Sequence, residues 1–164
     1  MDFARIDTRR DAENGATYHV MFITDSQEKT GEHLYHDGEP VSIDLLGIEG
    51  NTGKAAAARM VKELDAQNGS KKRTAKNMSV DEILQAAEGN DEIKARFYAG
   101  LTTGWSNIFY LSDEEIDDPK AEPKELKFTA DNAFMLYSTR PWIMEGIDAF
   151  LADKMNFMRK VVNG

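Results

Sequence analysis

The spacing of hydrophobic positions changes along the chain, and each change marks a predicted element. Asp7 or Thr8 is placed to cap a short helix that stops at Gly15, because a short polar side chain accepts free helix amides and glycine tolerates the helix-ending conformation. ATYHVMFI, residues 16–23, is rich in β-branched and aromatic residues and predicts a strand, with a polar turn in TDSQEKTG after it. EHLYHDGEPVSIDLLG predicts two short strands around Asp37-Gly38, a dipeptide that accepts the positive φ of a tight turn. Val41, Ile43 and Leu45 alternate with Ser42 and Asp44, so one face of the second strand is expected to be buried. The first third therefore predicts a small antiparallel sheet.

The period then lengthens to that of a helix. Over residues 52–68, Ala57, Met60, Val61 and Leu64 fall on one helical face, with Gly69 as a natural stop. GSKKRTAKN reads as a basic, solvated linker. Ser79-x-x-Glu82 has the capping-box pattern, in which serine and glutamate satisfy each other's free amides. Val80, Ile83, Leu84 and Ala87 form one stripe; Ile93, Phe97 and Leu101 form another; Gly89-Asn90 bends or divides the helix between them. TTGWSNIFYL follows, with Trp105 as an anchor. The acidic stretch 112–127, with Pro119 and Pro123, predicts an exposed loop. Thr129 caps the next helix, and Pro141 opens the last one as a first-turn proline. That last helix carries Ile143, Ile147, Phe150, Leu151, Met158 and Val161 on a broad apolar face. The order predicts an α+β fold. A β-rich subdomain over 1–69 ends in a helix, and a helical subdomain follows over 77–164, with the acidic loop at 112–127.

Charge narrows the function classes. Among the 164 residues, 29 acidic side chains face 20 basic ones, a formal net charge of -9. Nucleic acid is not expected as a partner, since phosphate neutralisation needs clustered Lys and Arg. No cysteine is present, which removes disulfides, thiolate metal sites and cysteine nucleophiles. No apolar run approaches the roughly 20 residues that span a bilayer, and MDFARIDTRRD is too polar for a secretory signal. A cytoplasmic protein with no membrane partner is the expectation.

GIEGNTGKAAAA, residues 47–58, invites comparison with a phosphate-binding loop of pattern G-x-x-x-x-G-K-S/T. Gly53-Lys54 supplies the end of it, but Ile48 stands where the first glycine belongs, and Ala55 replaces the magnesium-binding hydroxyl. The stretch reads instead as a glycine-rich turn with Thr52 capping a helix. His19, His33 and His36 do not have the spacing of a zinc site, and the acidic run at 113–118 lacks the glycine and ligand spacing of a calcium loop. No serine lies in a nucleophile elbow. No cofactor, metal site or catalytic group is expected, and a small enzyme of unknown chemistry is the least favoured class. The C-terminal part is different, because it crowds Phe134, Met135, Tyr137, Trp142, Met144, Phe150, Met155, Phe157 and Met158 into a short span. Two of its faces are apolar at once. They read either as core or as a surface for partners or self-association, a use to which adaptable methionines are suited.

GLTTGWSNI, a variable acidic stretch and then KFTADNAFMLYSTRPWIMEGIDAFLADKMNFM resemble the C-terminal part of a family of small tail assembly chaperones encoded in the structural modules of tailed bacteriophages. The residues that carry the resemblance are Trp105, Phe128-Thr129, Asn132-Ala133, Tyr137, Pro141-Trp142 and Asn156-Phe157. Thr30-Gly31 and Gly47-Ile48-Glu49 are similar to the family's sheet-to-helix section, although Gly50 stands where serine is usual. The resemblance implies a non-enzymatic protein of the host cell cytoplasm that binds the tape-measure protein or the tail-tube protein during tail morphogenesis, with homo-oligomerisation open. A partner surface at Trp105, Phe134, Trp142, Met144, Met155 and Phe157 is the matching expectation. The alternative is a virion structural protein, either a head–tail connector or a minor tail protein.

Overall fold

The structure, a computed structural model, describes residues 7–25, 30–68 and 79–158. The expected linker at 69–77 and the positions of Gly69 and Val161 lie outside the described residues. Helix α1 (Thr8–Asn14) starts where the Asp7 carboxylate accepts the amides of Arg9 and Arg10, and it ends at Gly15 with φ 79°. The expected strand over 16–23 is two strands, β1 (Ala16–His19) and β2 (Met21–Asp25), which part at Val20. There the chain changes partner: Val20 donates to the Val41 carbonyl and accepts from the Leu34 amide. β2 pairs with β3 (Thr30–His33), and β4 (Tyr35–His36) pairs with β5 (Glu39–Pro40) across Asp37-Gly38. Both turn residues have positive φ, as a two-residue hairpin that follows the strand twist requires.

β6 (Ser42–Leu45) buries Ile43 and Leu45 completely, in line with its alternating pattern. It is the centre of a three-stranded antiparallel sheet of order β1-β6-β7, and β7 (Thr102–Ser106) comes from the second half of the chain. The sheet is thus not confined to the first third. Ile43 faces Trp105 in that register, and Leu45 faces Thr102.

Helix α2 (Asn51–Asn68) presents Ala56, Ala57, Met60, Val61 and Leu64 to the core. Thr52 is its second residue rather than its cap. The Glu13 carboxylate, carried in by α1, accepts both the Thr52 amide and its hydroxyl, the latter at 3.0 Å. The anion position at this helix start is filled by the protein's own side chain, and a Cβ on Gly53 would overlap the Ile48 carbonyl. Both facts agree with a structural turn rather than a nucleotide cradle.

Ser79 caps α3 (Val80–Ala86), and Asn90 caps α4 (Asp91–Leu101), its side chain accepting the Ile93 amide. β8 (Phe109–Tyr110) pairs with β9 (Lys124–Glu125), which closes the acidic stretch into a short ribbon. Thr129 caps α5 (Ala130–Thr139), and Pro141 begins α6 (Pro141–Ala152). The last helix stops at Ala152, before Met158 of the apolar face expected to run on to Val161. The Asp153 carboxylate accepts the Met155 amide and starts a 3-10 turn over Lys154–Asn156, while the Asn156 side chain donates to the Phe150 carbonyl. The fold is mixed α+β, with strands mostly N-terminal and helices mostly C-terminal. One core cluster draws on both halves, from Tyr18 and Ile43 through Met60, Ile93 and Tyr98 to Tyr137 and Ile147.

A candidate partner-binding groove

The β4–β5 hairpin is too short to hold its place alone, so other elements fix it. Asn107, in the left-handed conformation between β7 and β8, donates from its side chain to the carbonyls of His36 and Glu39, both at 2.8 Å. The His36 ring stacks on Phe109 with centroids 3.8 Å apart. On the far side, Arg140 at the end of α5 lies 5.3 Å over the Tyr110 ring and reaches the Asp113 carboxylate at 3.3 Å and the Leu111 carbonyl at 3.4 Å. Trp142, in the first turn of α6, meets Phe22 of β2 edge-on at 5.3 Å.

Between these elements runs a groove of about 390 Å³. Its floor includes Val20, Val41, Ile43, Ile108, Leu136 and Ile143, and its walls carry Tyr35, Phe109, Tyr110, Ile116 and Trp142. Several of these side chains face solvent: Tyr35 is 62% exposed and Ile116 54%, and Phe22 beside Trp142 is 47% exposed. Burying such side chains against a partner removes apolar area from water, the main source of association energy. The groove is of a size to take a few side chains of a partner segment.

The structure distributes the six expected surface residues over several places. Trp142 lines the groove. Trp105 donates its indole N–H to the Leu126 carbonyl at 2.7 Å and packs edge-on against Phe128, pinning the acidic ribbon to the sheet. Phe134 is half-buried beneath the Arg96 guanidinium. Met144 is 3% exposed and belongs to the core, which corrects its assignment to a surface. Met155 is 70% exposed on the 3-10 turn. Phe157 lines a second cavity, of about 460 Å³, between α1, the glycine-rich turn and the end of α6. Charges of both signs rim that cavity. Across it Lys154 pairs with Glu49, holding that carboxyl below its ordinary range.

Sequence reasoning missed Phe22, Tyr35, Phe109 and Ile116. The first three sit in strand-like patterns where an aromatic residue fits a buried face equally well, and Ile116 is a lone apolar residue among five acids. That isolation was the one available signal. Of the histidines, His19 and His33 bring their rings to 5.5 Å edge-on while His36 stacks elsewhere. Among the described residues no group of three His, Asp or Glu side chains is arranged to hold a metal ion, and no helix is long and apolar enough to cross a membrane. No protein-family model matches the chain, and neither a curated protein nor a solved structure matches it.

Proposed function

We propose that this protein is a tail assembly chaperone of a tailed bacteriophage. It acts without catalysis in the host cell cytoplasm and shields an apolar segment of the tape-measure protein or of an unpolymerised tube subunit. The observation that carries the reading is the groove, where aromatic and aliphatic side chains stand exposed on a highly charged molecule. Capture through such a surface covers an aggregation-prone segment, while the net charge of -9 keeps the complex dispersed.

The resemblance to the chaperone family adds support of a particular kind. Its shared residues are builders of this fold: Thr129 caps α5, Asn132 donates to the Lys127 carbonyl, Tyr137 meets Thr102, and Asn156 closes the end of α6. A motif made of such residues transmits an architecture, and with it the surface that the architecture carries.

Co-expression with the neighbouring tape-measure and tube genes, followed by affinity purification, tests the role. One of the two products is expected to co-purify, and Trp142→Ala is expected to weaken its capture about tenfold or more while the far-ultraviolet spectrum stays that of the native protein. Failure to capture either product would overturn the reading. Stoichiometric presence in purified virions would replace it with that of a connector or minor tail protein.

A further inference from the structure

Exposed acidic side chains flank the groove on two sides. One bank is the hairpin tip, with Asp37 and Glu39 exposed. The other is the turn that begins at Ser112, whose carbonyl accepts the amides of Glu115 and Ile116 and whose hydroxyl bonds the Glu115 carboxylate at 2.9 Å. This turn sets Ile116 into the groove wall and leaves Asp113, Glu114, Asp117 and Asp118 exposed beside it. Arg140, the one lysine or arginine in the lining, is already engaged with Asp113. Among the described residues, no lysine or arginine lies within ion-pair reach of Glu39, Glu114, Asp117 or Asp118. Exposed Lys120 and Lys124 lie farther along the same ribbon, Lys120 with its amide on the Asp118 carboxylate, so an apolar trough runs between two banks on which acids outnumber bases.

Resting on the capture role proposed above, we infer that the groove takes a cationic amphipathic segment, one that sets apolar side chains into the trough and lysine or arginine against both banks. The exposed apolar side chains of the walls, Tyr35 and Ile116 above all, supply most of the affinity. The banks supply orientation and choice of partner, since each exposed ion pair contributes little by itself but opposite charge steers encounter and like charge repels. Tyr35, 62% exposed, adds a ring on which a cation can rest, as Arg140 already rests on Tyr110. An acidic amphipathic segment with the same apolar face is disfavoured on both sides of the trough. The chaperone thus selects among apolar segments by the charge that flanks them.

The test uses two synthetic peptides of about 18 residues, with the same leucines and phenylalanines at helical spacing and either lysine or glutamate at every polar position. Each is labelled and titrated against the full chain by fluorescence anisotropy. The lysine peptide is expected to bind about tenfold or more tightly than the glutamate peptide, with the difference shrinking as salt rises. Tyr35→Ala and Ile116→Ser, both at exposed positions, are each expected to weaken the lysine peptide about fivefold. Glu114→Lys with Asp117→Lys is expected to narrow the preference about fivefold or more. Glu88→Lys with Glu92→Lys changes net charge equally outside the groove and is expected to narrow it less than about twofold.

Equal affinity for the two peptides overturns the inference, as does equal narrowing by the two charge pairs, or binding indifferent to Tyr35→Ala and Ile116→Ser. The two proposals fail separately. A preserved peptide preference with no capture of tape-measure or tube protein removes the phage role and leaves the groove's selectivity. Capture of either protein that survives all of these groove variants removes the selectivity and leaves the chaperone.

Discussion

Tyr98 and Tyr137 carry phenol groups deep into the core, at the junction of α4, β7 and α5. Thr102 donates its hydroxyl to the Tyr98 carbonyl at 2.8 Å, and its oxygen also meets the Tyr137 hydroxyl at 2.8 Å. The Tyr98 hydroxyl itself goes to the Asp148 carboxylate of α6 at 3.0 Å. Burial pushes both phenols far above their ordinary value of 10.0, and for Tyr98 the neighbouring Asp148 charge adds to the effect. Above pH 10 the unfolded chain loses protons that the folded protein keeps, so the folded state binds more protons and stability falls as pH rises. Below pH 10 the contribution is fully present. An alkaline titration of tyrosinate absorbance is therefore expected to show these two residues only as the protein unfolds. Tyr137→Phe is expected to remove one equivalent from that unfolding-linked step and none from the reversible step before it. Loss of an equivalent from the reversible step, with the fold intact, would contradict the buried assignment.

Helix α6 crosses β2 and the end of β1, and one missing side chain permits the approach. Gly146 lies buried in the helix interior, where alanine would ordinarily favour the helix by about 1 kcal/mol. Here a Cβ would overlap the Tyr18 hydroxyl, which accepts the Met21 amide at 3.1 Å and whose ring packs 5.2 Å from Phe150. Overpacking of this kind costs about 1–3 kcal/mol, so Gly146→Ala is expected to lower stability despite the better propensity. Urea unfolding measures the change, and a double-mutant cycle with Tyr18→Phe assigns it: the cost of Gly146→Ala should shrink when the hydroxyl is gone. A stabilising Gly146→Ala would refute the contact. Helix starts are legible in the sequence where their determinants are local. Asp7, Ser79, Thr129 and Pro141 act on amides or dihedrals within a few residues, and each marks its helix start in the structure as the pattern predicts. Glu13 capping α2 could not be read, because its partner lies 39 positions away. The break at Val20 is set by pairing with residues 34 and 41. The stop after Ala152 depends on Asp153 and Asn156 rather than on a glycine or proline. The sequence neighbours of Met144 suggest a surface, whereas the helix turns it inward.

At the scale of the whole molecule, the sheet and the core tie the two halves of the chain together. β7 completes the sheet whose other strands come from the first half, with Ile43 between β1 and Trp105 and fully buried. The groove is assembled from the same union: its hairpin belongs to the first half, its ribbon and helices to the second. A division at residues 69–77 would split both the core and the groove, so the groove requires the intact fold. Both tryptophans lie in the second half, Trp105 in β7 and Trp142 in α6, and so report whether that half responds to a change made in the first. In Trp142→Phe and Trp105→Phe, each with one tryptophan left, the fluorescence midpoint in urea is expected to coincide with the loss of helical circular dichroism. Ile43→Ala, which empties a fully buried site beside β7, is expected to cost about 2–5 kcal/mol and to move both signals together. An Ile43→Ala effect that lowers the helical signal in part and leaves both tryptophan midpoints unmoved would mean that the halves unfold independently. The groove would then be an interface between two folding units. Coincidence makes it a feature of one cooperative structure, whose exposed aromatic side chains are held open by the core beneath them.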